Sequence, residues 1–265
     1  MKINILVDDD KCWNLNILRR LIPYLKKNNI SVDHIWILPE KLSNLRGSKI
    51  SIWFLKTFGI LVFLKLSIFY LLILVHNFFN RINNFRDLAL KHNIKYNYIN
   101  STSNKYLIKN INSNKKKFSI LITNHILKKK LINKKDHLFI NKHTSLLPSY
   151  RGLMPYIWSK IDNNDNGITL HLVNEEIDNG KIIFQKKIKK KFNSMIEFYL
   201  DINDRLPVYF LVALKNLEQK KFIKSKNKKS YYSIPNRKDY SNFLKKKGKV
   251  ILFSNFFKIN KLVKI

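Results

Sequence analysis

The sequence predicts an α/β fold: a Rossmann-like, doubly wound and mostly parallel sheet, followed by a small helical or irregular C-terminal region. Three observations predict it. Strand-like apolar runs alternate with helix-period stretches through the first 140 residues, the order of a parallel sheet with crossover helices. Phe118-Ser119-Ile120-Leu121-Ile122-Thr123 is a nearly continuous apolar run, as a strand covered on both faces has to be. An amide and an imidazole, Asn141 and His143, close the strand-like run 137–140, at the sheet end where α/β folds place their sites.

In chain order, Lys2 to Val7 forms the first strand and ends in Asp8-Asp9-Asp10. That triplet either faces a ligand or metal or is a solvated strand end, and the solvated end is the expectation. Leu15, Leu18, Leu21, Ile22 and Leu25 recur at helical spacing, with Pro23 placed to kink the helix. Ser31 to Leu38 is the second strand. This β-α-β opening has no G-x-G-x-x-G turn, which argues against a dinucleotide site. Residues 50–79 are the most hydrophobic stretch, with Gly59 separating two helices and only Lys65 charged between Lys56 and His76. The length approaches that of a membrane-spanning helix. The expectation is nevertheless a helix pair mostly buried in the protein or facing a second copy, with membrane attachment as the alternative.

Ile94 to Ile99 alternates as a third strand, and a helix is possible at 104–111. A short basic helix near 126–133 leads to the strand that carries Asn141 and His143. Leu153 to Ile161 reads as a helix with Pro155 in its first turn. The strands 167–173 and 181–188 flank Asp178-Asn179-Gly180, a triplet that hairpin-turn chemistry explains by itself. Ser194-x-x-Glu197 is a capping box opening a long helix; Pro207 should kink or split it. Beyond Lys215 the chain is lysine-rich, with Tyr231 to Pro235 as its one structured-looking island.

The formal net charge is +34, and 43 of the 51 basic residues are lysine. Nucleic-acid readers lean on arginine for bidentate contacts, so a nucleic acid is not the expected main partner. Abundant Lys, Asn and Ile together point to codon bias on solvated surfaces, with some charge left to attract an anionic substrate. The single Cys12 excludes a disulfide framework and a cysteine-based zinc site and fits a reducing cytoplasm. Met1-Lys2 runs straight into a strand, so no signal peptide is expected.

The segments Asn141-x-His143-x-Ser145-Leu146-Leu147-Pro148-x-Tyr150-Arg151-Gly152, Gly167-x-Thr169-x-His171 and Ile177-Asp178-x-Gly180 resemble the formyltransferases that use N10-formyltetrahydrofolate. The resemblance covers about residues 90–190. The opening Asp9-x-x-Cys12-Trp13 and the segment 231–235 are most similar to the branch that formylates nucleotide-linked amino sugars. The resemblance implies a catalytic trio of Asn141, His143 and Asp178 and no metal. In it Asn141 and His143 donate to the oxyanion that develops on the formyl oxygen. Asp178 orients His143 and accepts the amine's proton. His171 matches too, either on the site or supporting it from behind.

The resemblance further implies that Thr123 and Asn124 wall the folate. Tyr150, Arg151 and Tyr231 would meet the substrate, Arg151 through a phosphate or the sugar and Tyr231 by stacking on a nucleobase. Residues 1–190 would be the formyltransferase catalytic domain, with 50–79 as a helical insert. Residues 191–265 would supply a C-terminal helix and basic tail for homodimerisation and substrate contacts. Fewer than fifty residues follow the helix ending near Gln219, too few for the barrel that the methionyl-tRNA enzymes add. The expected acceptor is therefore a nucleotide-linked amino dideoxysugar, as in building O-antigen and other surface polysaccharide. Methionyl-tRNA or glycinamide ribonucleotide is the alternative within the family. A nucleic-acid-binding or membrane-surface protein is the alternative outside it. Two departures stand out: Lys142 between the amide and the imidazole, placed to alter the imidazole's pKa, and Lys115-Lys116-Lys117 where the family often has an acidic residue.

Overall fold

The computed structural model describes residues 1–113, 118–133 and 136–263; Lys115, Lys116 and Lys117 lie outside them. The chain runs β1 (Lys2–Asp8), α1 (Asn14–Lys27), β2 (Ser31–Leu38), α2 (Ser48–Phe58), α3 (Ile60–Phe79), α4 (Phe85–Lys91), β3 (Lys95–Tyr98) and α5 (Lys105–Ser113). It continues β4 (Phe118–Ile122), α6 (Lys129–Ile132), β5 (Leu138–His143), β6 (Arg151–Gly152), α7 (Pro155–Ile161), β7 (Asn166–Leu172) and β8 (Ile182–Ile188). Last come α8 (Met195–Glu218), β9 (Tyr231–Tyr232), α9 (Arg237–Lys245), a 3-10 turn (Phe253–Lys258) and α10 (Asn260–Val263). Seven strands form one sheet in the order β3-β2-β1-β4-β5-β7-β8, and β6 pairs with β9 apart from it. The first five of the seven are parallel neighbours, while β7 and β8 close one edge antiparallel. The mostly parallel, doubly wound α/β sheet predicted by the sequence is what forms.

Both faces of the sheet are covered, which explains the unbroken apolar runs. Ile3, Ile5 and Val7 of β1 share one core cluster with Leu15, Leu18 and Leu21 of α1 and with α8 residues such as Phe198. Leu6, Trp36 and Phe139 belong to a second cluster with Leu107 and Leu131 of the flanking helices. The chain reverses winding direction between β1 and β4. That makes the crevice at their C-terminal ends the switch point where such folds take ligands.

The acidic strand end is not solvated: Asp8 is 2% exposed and accepts from the Thr123 hydroxyl and, at 2.8 Å, from the Asn124 N–H. Its carboxylate braces the ends of β1 and β4 across the crevice. Burial, partly opposed by those two donors, pushes the Asp8 carboxyl up to about 7. Asp10 uses Oδ1 locally, accepting from the Cys12 and Trp13 N–H groups at 2.7 and 3.0 Å.

Pro207 does not split α8, which runs unbroken for 24 residues. A proline inside a helix costs about 3 kcal/mol. Ile202 and Leu206 before it and Phe210 and Leu214 after it are all buried, each worth roughly 1.5–3 kcal/mol, so packing on both sides outweighs the lost hydrogen bond. Ser194 caps the helix by accepting from the Glu197 N–H at 3.1 Å, but the Glu197 carboxylate accepts from Asn193 rather than closing a full box.

Gly59 (φ 84) does separate α2 from α3, yet α3 is not mostly buried. A stripe of Val62, Leu66, Phe69, Ile73 and Asn77 meets the fold; Leu61, Leu71, Phe78 and Phe79 are exposed. The tail is more ordered than its composition suggests. Ile251, Leu262 and Val263 are buried in one cluster with Phe69, Ile73, Ile196 and Leu200. These contacts join residues far apart in sequence, so no local periodicity betrays them.

Candidate active site

Alternation along β5 sends Asn141 and His143 to the same face of the sheet. The antiparallel neighbour β7 sets His171 opposite Asn141 and Thr169 opposite His143. The turn between β7 and β8 then folds back over the end of β7. Asp178 adopts φ 49 there, a left-handed conformation that Asp tolerates better than most residues. Gly180 lies so close to β7 that an added Cβ would come within 1.7 Å of the Leu172 carbonyl oxygen. The tightness of this turn delivers the Asp178 carboxylate to the strand residues.

Asp178 is the hub. Its Oδ2 accepts from the Gly152 N–H at 2.9 Å and faces His143 Nδ1 at 3.4 Å. Its Oδ1 faces His171 Nε2 at 3.5 Å and accepts from Asn141 Nδ2 at 3.4 Å, a long and weak bond. His143 Nε2 donates to the Tyr150 carbonyl at 2.7 Å, and His171 Nδ1 donates to the Leu172 carbonyl at 2.8 Å. Burial would raise the Asp178 carboxyl. The charge that His143 and His171 carry when protonated, together with the Gly152 amide, outweighs it and holds the group well below the usual carboxylate range. His143 shifts the other way: burial lowers its pKa against the pull of Asp178 and the Tyr150 carbonyl, with Lys142 a minor contributor in the same sense as burial. At neutral pH the pair is thus a fixed carboxylate beside a neutral imidazole. Nε2 carries the ring's proton, and Nδ1 is the basic position turned toward the anion.

These residues fall inside a segment with known relatives: residues 92–196 match the model of the formyl transferase family. Over this segment the chain is similar to the formyl transferases. Among curated relatives, the methionyl-tRNA formyltransferase of Prochlorococcus marinus (strain MIT 9515) is 28% identical over 130 residues, 48% of this chain and 38% of that protein. The chain therefore spans well under half the length of that relative. Among solved structures, a sugar N-formyltransferase from Shewanella sp. superposes over 93% of this chain and 87% of its own, with TM-score 0.55 and 18% identity. A phosphoribosylglycinamide formyltransferase from Anaplasma phagocytophilum covers 87% of this chain and 97% of its own, with TM-score 0.56 and 16% identity. At these identities the likeness establishes the α/β fold.

The polar cluster lies on the wall of one cavity, and a second cavity adjoins that one. The first, about 440 Å³, is lined by Asn141, His143, Asp178, Thr123, Asn124 and Tyr231 among others, and its volume suits a small organic ligand. The strand-end segment 121–127 and the loop 173–178 also line it, bringing main-chain amides and carbonyls that fit a flat, polar heterocycle such as a pterin. The second, about 660 Å³, is walled by Asp10, Trp13, Glu40, Phe63, Tyr70 and Tyr199 among others. Asn14, Asn124 and Lys142 line both. Lys142, read from sequence only as a departure, is the partition between them. Burial lowers its pKa while Asp10 and Asp8 raise it.

The structure therefore brings Asn141, His143, Asp178, Thr123, Asn124 and Tyr231 to one cavity, together with His171. It does not bring Tyr150 or Arg151 there. Tyr150 is 5% exposed, its hydroxyl donates to Asp162 and accepts from Asn164, and its contribution to the site is a carbonyl. Arg151 faces Glu176 at 3.7 Å and its main chain pairs β6 with β9. Tyr231, on β9, is half exposed at the mouth of the first cavity. Sequence reasoning missed the Gly152 amide and the Tyr150 carbonyl because main-chain groups leave no residue signature. It also missed Asp8, whose only signal was a charge beside an apolar strand.

Proposed function

We propose that this chain transfers a formyl group from N10-formyltetrahydrofolate to the primary amine of a nucleotide-linked amino sugar. The observation that carries the proposal is the convergence of Asn141, His143 and Asp178 on the wall of the first cavity, with Asp178 held as an anion against a neutral His143. When bound, the folate supplies an activated formyl carbon. Asn141 has a second N–H beyond the one directed at Asp178, and it stabilises the negative charge that develops on the formyl oxygen. His143 takes the attacking amine's proton at Nδ1, since a carboxyl as acidic as Asp178 is a weak base. Asp178 and the Tyr150 carbonyl then hold the imidazolium from either side, and the same proton is available to the departing nitrogen. Folate in the first cavity leaves the second for the acceptor.

That second cavity favours a sugar. Trp13, Tyr70 and Tyr199 offer aromatic faces to a pyranose ring, while Asp10 and Glu40 offer acceptors for an amine and hydroxyls. Burial and the nearby charges of Asp10 and Asp9 push Glu40 up to about 7.

Purified protein is incubated with N10-formyltetrahydrofolate and a panel of dTDP- and UDP-amino sugars, with methionyl-tRNA and glycinamide ribonucleotide as the other arms. A mass gain of one formyl group on a sugar is the expected result; formylation of the tRNA or the ribonucleotide alone would move the chain to those acceptors. Asn141→Ala, His143→Ala and Asp178→Ala are each expected to lower kcat/KM by roughly 10²–10⁴ with the circular dichroism spectrum unchanged. Full activity in His143→Ala would end the assignment.

A further inference from the structure

We infer that α3 is a membrane-docking face that seats lengthwise on an anionic phospholipid bilayer. Among the described residues α3 is the one helix long and apolar enough to cross a membrane, and at 1.5 Å per residue it extends about 30 Å. The inner stripe of Val62, Leu66, Phe69, Ile73 and Asn77 holds it to the fold. Leu61, Leu64, Ile68, Leu71, Val75 and Phe78 lie on the other side at helical spacing, from 43% to 72% exposed. A continuous apolar row of this length differs in kind from scattered surface hydrophobics and marks an interaction surface.

The inner stripe decides between spanning and lying on the bilayer. Asn77 is 1% exposed, accepts from Arg19 Nη1 at 2.8 Å and donates to the Lys11 carbonyl at 3.0 Å. Phe69 and Ile73 are 2% and 0% exposed. Threading α3 through a bilayer would strip these contacts from α1 and the C-terminal segment. A helix that keeps them presents only its outer half to lipid.

Charge decides between lipid and a second copy of the chain. No acidic residue occurs between Glu40 and Asp87, or after Asp239. Lys49, Lys56, Lys65 and Arg81 are exposed on or beside α2 and α3. The apolar surface continues into the acid-free C-terminal segment: Phe69 meets Phe256 with ring centroids 5.9 Å apart, next to Phe253 and Phe257, which are 72% and 75% exposed. A two-fold dimer through this face would set one cationic rim against its own copy. An anionic leaflet supplies the complementary charge, and Lys65 can keep its ammonium at the headgroups while its stem follows the apolar face. The inference is independent of the acceptor, although α3 also walls the second cavity through Phe63 and Leu66.

The test is flotation of the full chain with vesicles of phosphatidylcholine alone or of equal parts phosphatidylcholine and phosphatidylglycerol. The wild type is expected to float with the anionic vesicles, to stay behind with the neutral ones, and to be released by high salt. Leu64→Glu combined with Leu71→Glu changes only exposed positions. It is expected to cut the bound fraction about tenfold or more while its circular dichroism spectrum and Tm match the wild type. A wild type that ignores anionic vesicles, or binds both kinds equally, overturns the inference. So does a dimer in sedimentation velocity that the double variant converts to monomers, which would give the face to a second copy.

Discussion

At the residue scale the site rests on one pairing, His143 with Asp178, and its protonation has a sign that can be checked. Burial lowers the His143 pKa below its ordinary 6.5 and the Asp178 charge partly restores it. The imidazole that accepts a proton is the neutral form, so kcat/KM should fall as pH drops through the folded-state pKa. Asp178→Asn removes the charge that raises that pKa. The acidic limb of the pH profile should therefore move to still lower pH, while the plateau falls roughly 10²-fold because the imidazolium loses its counter-ion. Ionisation of the acceptor amine is common to both proteins and drops out of the comparison. A limb that stays in place or moves upward would show that the two groups are not coupled as drawn. Asn141 and His143 were legible in the sequence because two polar side chains at the end of an apolar strand are conspicuous. Asp178 was disguised: Asp-Asn-Gly makes sense as a turn, and only its place in a motif beside Gly167 to His171 marked it as more.

At the element scale, what sequence revealed depended on whether an element declares itself locally. The buried strands did, through runs such as 118–122, and α1 did, through its spacing. The two-residue strands β6 and β9 did not, since their pairing joins residues 80 apart. Gly152 is where that pairing touches the site. Its φ is 98 and an added Cβ would lie 2.0 Å from the Tyr232 carbonyl oxygen, while its N–H holds Asp178. Gly152→Ala should push β6 off β9, costing about 2 kcal/mol through strain and lost pairing and lowering Tm by roughly 5 °C. It should also raise KM for the folate, because Tyr231 and Asp178 border the same cavity. Thermal melts and steady-state kinetics test both effects; an unchanged Tm and KM would mean the ribbon has no part in shaping the site.

At the scale of the whole molecule the question is what a charge of +34 does. The field of these lysines acts whatever their origin. Both proposed substrates are anions: the folate carries carboxylates and a nucleotide sugar carries phosphates. Lys41 and Lys142 line the first cavity and Lys142 also borders the second, so the general field is focused where the ligands enter. Salt screens this attraction, because the Debye length shrinks from about 10 Å at 0.1 M to about 3 Å at 1 M. Raising sodium chloride through that range should lower kcat/KM about tenfold or more for the anionic substrates, chiefly through KM, and leave kcat nearly constant. Lys41→Gln should flatten this dependence, whereas Lys→Gln changes on the remote surface of α9 should not. Equal flattening by both would mean that net charge alone steers the substrate. A kcat/KM indifferent to salt would mean that the lysines are carried on the surface without serving the site.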